Sequence, residues 1–135
     1  MYNMIKDVIL LGSTGSVGIS TLNVIKKNKK SFNIKLLTTN NNIKKLYDQA
    51  LEFKVKKVVI YDQRKLYKFI KFFKSKKIKI YSSISEALKN NKKKVYITVS
   101  AISGIDGLEP TLEVIKYTKN LSICNKESII CGWKL

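Results

Sequence analysis

The run Gly12-Ser13-Thr14-Gly15-Ser16-Val17-Gly18 carries the clearest chemical instruction in this sequence. Its glycines fall at GxxGxxG spacing, between a continuous apolar stretch and a stretch of helical periodicity. Gly12 permits a tight turn that a side chain would block. Gly15 lets a pyrophosphate approach the backbone, and Gly18 lets a following helix pack closely on a sheet. The free N–H groups of the helix start then face the anion, with the hydroxyls of Thr14 and Ser16 as further donors. A glycine-rich turn holding nothing is the alternative. Placement directly after a buried strand and before a helix favours a nucleotide phosphate.

A second polar cluster follows at Thr38-Thr39-Asn40-Asn41-Asn42. An NAD site usually has an Asp or Glu near this point, bonded to the ribose hydroxyl. Here no carboxylate appears until Asp48, and a carboxylate would repel a 2′-phosphate, so the pattern favours NADP. The asparagine amides can donate to that phosphate, and Lys44 or Lys45 could add charge. The same residues also read as a polar turn with Asn42 as the N-cap of the next helix. The two readings are compatible.

Other chemistries are bounded by what is scarce. Histidine is absent, which excludes histidine-dependent nucleophile systems. Cys124 and Cys131 are too few soft ligands for a zinc site and, with no secretory signal in view, are expected to stay reduced. The net charge of +18 invites a nucleic-acid reading. Almost all of that charge is lysine, scattered along the chain, and Arg64 is the single arginine. Base and phosphate readers rely on the planar guanidinium fork, so solvated faces are the better account and no nucleic-acid partner is expected. Abundant Lys, Asn and Ile together fit AT-rich codons. No apolar run reaches the roughly 18 residues of a membrane span, and no signal-peptide pattern is visible at the start. A cytoplasmic protein without a membrane partner is the expectation.

The elements that must position these residues alternate. Strands are predicted at Asp7–Gly12, Phe32–Thr39, Lys57–Tyr61, Ile78–Tyr81, Val95–Ser100 and Leu121–Cys124. Helices are predicted at Ser16 to about Asn28, Asn42–Phe53, Gln63–Lys74, Ser83–Asn90, Leu108–Lys119 and from near Glu127. Pro110 falls in a first helical turn, where proline is tolerated. With 135 residues and no linker, the chain reads as one domain, residues 1–135. The alternation predicts an α/β, Rossmann-like, doubly wound and mostly parallel sheet with helices on both faces. Ligands in such sheets sit beyond the carboxyl ends of the strands, here the loops after Leu11, Thr39, Val99 and Cys124.

Three segments in register carry a family resemblance across essentially the whole chain. LLGSTGSVGISTLNVI resembles the opening fingerprint of 1-deoxy-D-xylulose 5-phosphate reductoisomerases. Ala101 to Leu112 (AISGIDGLEPTL) is similar to that family's AIxGxxGLxPT segment, and Asn125-Lys126-Glu127-Ser128 to its NKES motif. The resemblance implies an NADPH-dependent enzyme that rearranges and reduces 1-deoxy-D-xylulose 5-phosphate to 2-C-methyl-D-erythritol 4-phosphate, in non-mevalonate isoprenoid synthesis. It implies Mg²⁺ or Mn²⁺ as Lewis acid. Residue by residue, it implies that Thr14, Gly15, Ser16 and Val17 line the NADPH pyrophosphate, and that Asn40, Asn41 and Asn42 lie near the adenosine 2′-phosphate. The family there has Gly, then Lys or Arg, then Asn; only Asn42 fits. Ala101 would lie along the cofactor toward the nicotinamide, Asn125 and Glu127 would contact NADPH, and Lys126 would reach the substrate. From the residues alone, Asn125 is equally an N-cap and Glu127 a favourable first-turn carboxylate.

The family's metal site begins in an Asp-Ser-Glu stretch beyond the NKES helix. This sequence ends at Trp133-Lys134-Leu135, with no metal ligand and no catalytic residue of that site. The expectation is that these residues alone do not catalyse. Ile129, Ile130 and Trp133 form an apolar stripe that expects a covering partner. An excised domain, a truncated gene product and one piece of a split enzyme remain open, as does a homodimer. So does a stand-alone or relic nucleotide-binding module without catalysis.

Overall fold

The computed structural model describes residues 4–132. Six strands form one sheet in the order β4-β3-β2-β1-β5-β6: β1 Lys6–Leu11, β2 Phe32–Thr39, β3 Lys57–Ile60, β4 Lys79–Tyr81, β5 Val95–Ser100 and β6 Thr118–Ile123. Every pairing is parallel. The helices are α1 Ser16–Lys27, α2 Ile43–Glu52, α3 Ile70–Ser75, α4 Ile84–Leu88, α5 Leu108–Val114 and α6 Lys126–Gly132.

The central strand shows why the sheet must be covered twice. Val8, Ile9, Leu10 and Leu11 are all buried, and alternate side chains point to opposite faces. Val8 and Leu10 join Leu22 and Ile25 of α1, Leu46 and Ala50 of α2, and Phe73 of α3. Ile9 and Leu11 join Ile84 and Leu88 of α4 and Val114 of α5. Each fully buried aliphatic side chain stabilises the fold by about 1.5–3 kcal/mol. The chain winds outward from β1 to β4 with α1 to α3 on one face. It then crosses back to β5 with α4 and α5 on the other. The strand order reverses between β1 and β5, and that switch point is where a doubly wound sheet opens a crevice.

Two predicted helices and one predicted strand need correction. The helix expected over Gln63–Lys74 is a 3₁₀ turn at Leu66–Lys68 followed by α3. The carboxylate of Asp62 accepts from the Arg64 backbone N–H and holds this stretch in a turn, while Leu66 N–H bonds to Gln63 O and Phe69 N–H to Leu66 O. The helix expected over Leu108–Lys119 ends at Val114, passes through a 3₁₀ turn at Ile115–Tyr117, and gives way to β6. That strand starts at Thr118 instead of Leu121, because Thr118 pairs with Val95 and is buried there. A long parallel ladder outweighs the weak helical preference of one lysine-bearing turn. The short helix expected from Ser83 to Asn90 is α4, with Ser83 outside it as N-cap, accepting from Glu86 N–H.

Candidate cofactor site

The glycine loop leaves β1 at Gly12, whose φ of +74° is the left-handed conformation that favours glycine. A Cβ there would also lie 2.9 Å from Ile102 Cγ1 and 3.0 Å from the Ala101 carbonyl. The loop after β1 therefore presses directly on the loop after β5, and Ala101 N–H donates to Leu11 O at 2.9 Å. Gly18 serves packing in a different place from the one expected. A Cβ on it would sit 2.7 Å from Ser13 Cα, so α1 closes on its own loop as well as on the sheet.

Gly15 is different. Its φ of −81° and ψ of 175° suit any residue, and a Cβ would meet only Gly12 O at 3.7 Å, an ordinary contact. Among the described residues nothing requires glycine here. Gly15 is also the N-cap of α1 and brings no side-chain cap, and the first turn carries no acidic residue. The first-turn N–H groups, including those of Ser16 and Val17, lack intrahelical partners and carry the positive end of the helix dipole. A backbone donor cluster with space before it is suited to cradle a phosphate.

The loop is held by a buried polar brace. Ser13 Oγ donates to Gln49 Oε1 at 2.7 Å, and Gln49 Nε2 donates back to Ser13 O at 2.9 Å. Gly12 N–H donates to Thr38 Oγ1, Ser13 N–H to Thr38 O, and the Thr14 and Thr39 hydroxyls lie 2.7 Å apart. Ser13, Thr38, Thr39 and Gln49 are all buried. Thr14 is thus tied to the end of β2 and faces the site from a fixed position. Sequence reasoning passed over Gln49. The available signal was a polar residue three positions after Leu46, on the apolar face of α2.

At the end of β2, Asn42 caps α2 through its side chain, which accepts from Lys45 N–H at 3.3 Å. Asn40 and Asn41 are exposed beside it. Lys44 is ion-paired with Asp48 at 3.0 Å on the exposed helix face. Charge beside the asparagines comes from the loop after β3. Asp62 N–H donates to Asn40 O at 2.8 Å, and Asn41, Asn42, Asp62, Arg64 and Lys65 line one cavity of about 540 Å³. A carboxylate does stand here, although none follows closely in sequence. Two bonds from Arg64 engage it, Nε to Oδ1 at 2.9 Å and Nη2 to Oδ2 at 2.6 Å, and hold the Asp62 carboxyl down at about 2.

A second cavity, of about 640 Å³, adjoins Thr39 and Asn40 and reaches Tyr61, Ile102, Asp106 and Pro110. Burial, then Glu113 and Glu109, push the Tyr61 phenol up, so it remains a neutral donor. Around α6, Asn125 is the N-cap, as its residue type suggested: its Oδ1 accepts from Ser128 N–H at 2.7 Å. Its Nδ2 donates to Ile102 O, which fastens α6 to the loop after β5. Gly107 has no room for a Cβ, which would meet Asn125 Nδ2 at 2.6 Å. Lys126 is exposed and Glu127 half-buried at the same carboxyl edge of the sheet. Ile129 and Ile130 are exposed, and Trp133 lies outside the described residues. Among the described residues no three Cys, Asp or Glu side chains gather to hold a metal ion, and no helix is long and apolar enough to cross a membrane.

The residues singled out from sequence therefore converge, from the ends of β1, β2, β5 and β6, on one edge of the sheet. Comparisons with known proteins bear on the family and the fold. The family model for 1-deoxy-D-xylulose 5-phosphate reductoisomerase matches residues 8–132. A reductoisomerase of that name from Pelagibacter ubique is 46% identical over 132 residues, covering 96% of this chain and 34% of the relative. The structure of the enzyme from Zymomonas mobilis in complex with NADPH superposes with a TM-score of 0.79 at 32% identity, over 94% of this chain and 34% of that one. A DOX-P reductoisomerase in complex with NADPH, fosmidomycin and magnesium gives 0.80 at 28% identity, over 93% and 31%. The chain spans about a third of the length of these relatives. With the match running through β1, the glycine loop, the loop after β5 and α6, the chain belongs to the 1-deoxy-D-xylulose 5-phosphate reductoisomerase family.

Proposed function

We propose that this chain is the NADPH-binding part of a reductoisomerase acting on 1-deoxy-D-xylulose 5-phosphate. The observation that carries the reading is Gly15: a glycine with no internal need to be one, at the uncapped start of α1, at the switch point of the sheet. The N–H groups of Ser16 and Val17 and the hydroxyl of Thr14 hold the pyrophosphate there. The adenosine lies across the end of β2, its 2′-phosphate among Asn40, Asn41 and Asn42 and its ring in the cavity beside Tyr61 and Ile102. The remainder of the dinucleotide runs past Ala101 toward Asn125 and Glu127. When bound, NADPH supplies the hydride of the reduction. Lys126, exposed at the start of α6, presents an ammonium to an anionic, oxygen-rich substrate.

The described residues gather no carboxylates for Mg²⁺ or Mn²⁺, so no step of the reaction is assigned to a metal in this chain. By itself the chain binds cofactor without turnover. Exposed Ile129 and Ile130 offer a face for the remaining part of a reductoisomerase or for a second copy of the chain. Calorimetric titration with NADPH and, separately, NADH tests the reading. Tighter binding of NADPH is expected. Binding of neither, in a sample folded by circular dichroism, overturns it in favour of a nucleotide-binding relic.

A further inference from the structure

We propose that Arg64, held by Asp62, is the group that grips the adenosine 2′-phosphate and so sets the preference for NADPH over NADH. The inference rests on the NADPH reading above. It begins with position: Asp62 lies one strand over from β2, brought beside Asn40 by a continuation of the β2–β3 ladder. Arg64 is the sole arginine of the sequence, in a chain whose other cations are all lysines, and it lines the same cavity as Asn41 and Asn42.

The chemistry of that pair suits a phosphate monoester. A bare carboxylate at this place would accept from a ribose 2′-hydroxyl and repel a phosphate. Both oxygens of Asp62 are instead occupied by the guanidinium, through Nε and Nη2. That leaves both N–H groups of Nη1 and one of Nη2 free to donate, on a fork whose orientation is fixed by the carboxylate behind it. Lys65 lines the same cavity and has no ion-pair partner among the described residues. With Arg64 and Lys65 against Asp62, the cavity is net positive, and the Asn41 amide adds a neutral donor. Arg64 thus does two things: it conceals a carboxylate that would select NAD, and it offers a planar donor set that binds phosphate oxygens.

The test uses the whole chain and two probes that lack the nicotinamide, adenosine 2′,5′-bisphosphate and 5′-AMP, compared by calorimetry for the parent, Arg64→Ala, Asp62→Asn and the double variant. Arg64 is exposed, so its replacement leaves the core untouched. The parent should prefer the bisphosphate, and Arg64→Ala should reduce that preference by about tenfold or more, the worth of charge-assisted bonds, while 5′-AMP binding changes less than about twofold. In the double variant, loss of the bare carboxylate should recover part of the affinity but leave it below that of Asp62→Asn. A preference unchanged by Arg64→Ala overturns the assignment. So does a double variant as tight as Asp62→Asn, since Arg64 would then act only as a mask. A folded parent that binds neither probe overturns the cofactor reading and this assignment together, an outcome distinct from the other two.

Discussion

Gly15 and Gly18 belong to one motif, three residues apart, yet the structure gives them opposite reasons to lack a side chain, and substitution to alanine separates the two. At Gly18 the added Cβ would lie 2.7 Å from Ser13 Cα and carbonyl carbon and closer still to Gly12 O, all backbone atoms. Loop or helix must retreat by about 1 Å to bring Gly12 O to ordinary contact, and the loop cannot give easily because Ser13 is braced by Gln49 and Thr38. Overpacking of this kind costs about 3 kcal/mol at the upper end of its range, offset by about 1 kcal/mol of improved helix propensity. Gly18→Ala should therefore lose about 2 kcal/mol of stability. At Gly15 the added Cβ meets only Gly12 O at 3.7 Å with an unstrained backbone, so Gly15→Ala should shift stability by less than about 1 kcal/mol. The methyl group would instead fill the space before the first-turn N–H groups, and NADPH affinity should fall about tenfold or more. Urea unfolding followed by far-ultraviolet circular dichroism and calorimetric titration with NADPH, on the same samples, read both quantities. Equal loss of stability in the two variants, or undiminished NADPH binding by Gly15→Ala, refutes the assignment of the two glycines.

Three further outcomes follow from single contacts. Gln49→Leu keeps the volume of the brace but removes the partner of the Ser13 carbonyl, while the Ser13 hydroxyl falls back on Thr38 O at 3.3 Å; denaturant unfolding should show a loss of about 2 kcal/mol, and a loss under about 0.5 kcal/mol counts against the brace. Lys54 and Lys77 hold φ of 55° and 56°, so Lys54→Gly and Lys77→Gly should each stabilise by about 0.5–1 kcal/mol, whereas Lys→Gln at the same sites, which removes the charge but keeps the side chain, should not. The Asp62 carboxyl, followed by NMR, should titrate near 2 in the parent and return toward the ordinary value of about 4 in Arg64→Ala. Because the folded value is the depressed one, the pair supports the fold fully above the unfolded value near 4, and that support is lost as the pH falls toward 2.

The parts of the site legible in the sequence are those that act through local backbone. The glycine loop reads directly because a helix start and a tight turn are built from consecutive residues, and Asn42 and Asn125 read as caps because a cap bonds three residues ahead. The strands read well where both faces are buried, as in β1 and β3, and poorly where one partner decides the matter. Thr118 and Lys119 look like the tail of a helix until β5 is beside them. The same limit hid the Asp62 carboxylate beside Asn40. Reading forward from β2, the nearest acid is Asp48, which turns out to be spent on Lys44 at the helix surface. Asp62 arrives on the loop after β3, brought beside Asn40 by parallel pairing across a whole helix, and it carries its own neutralising arginine. In a parallel sheet the residues closest in space at the carboxyl edge are always separated by a crossover. A motif can therefore announce a phosphate-binding turn, but a charged pair on the loop after the neighbouring strand, such as Asp62 and Arg64, lies beyond its reach.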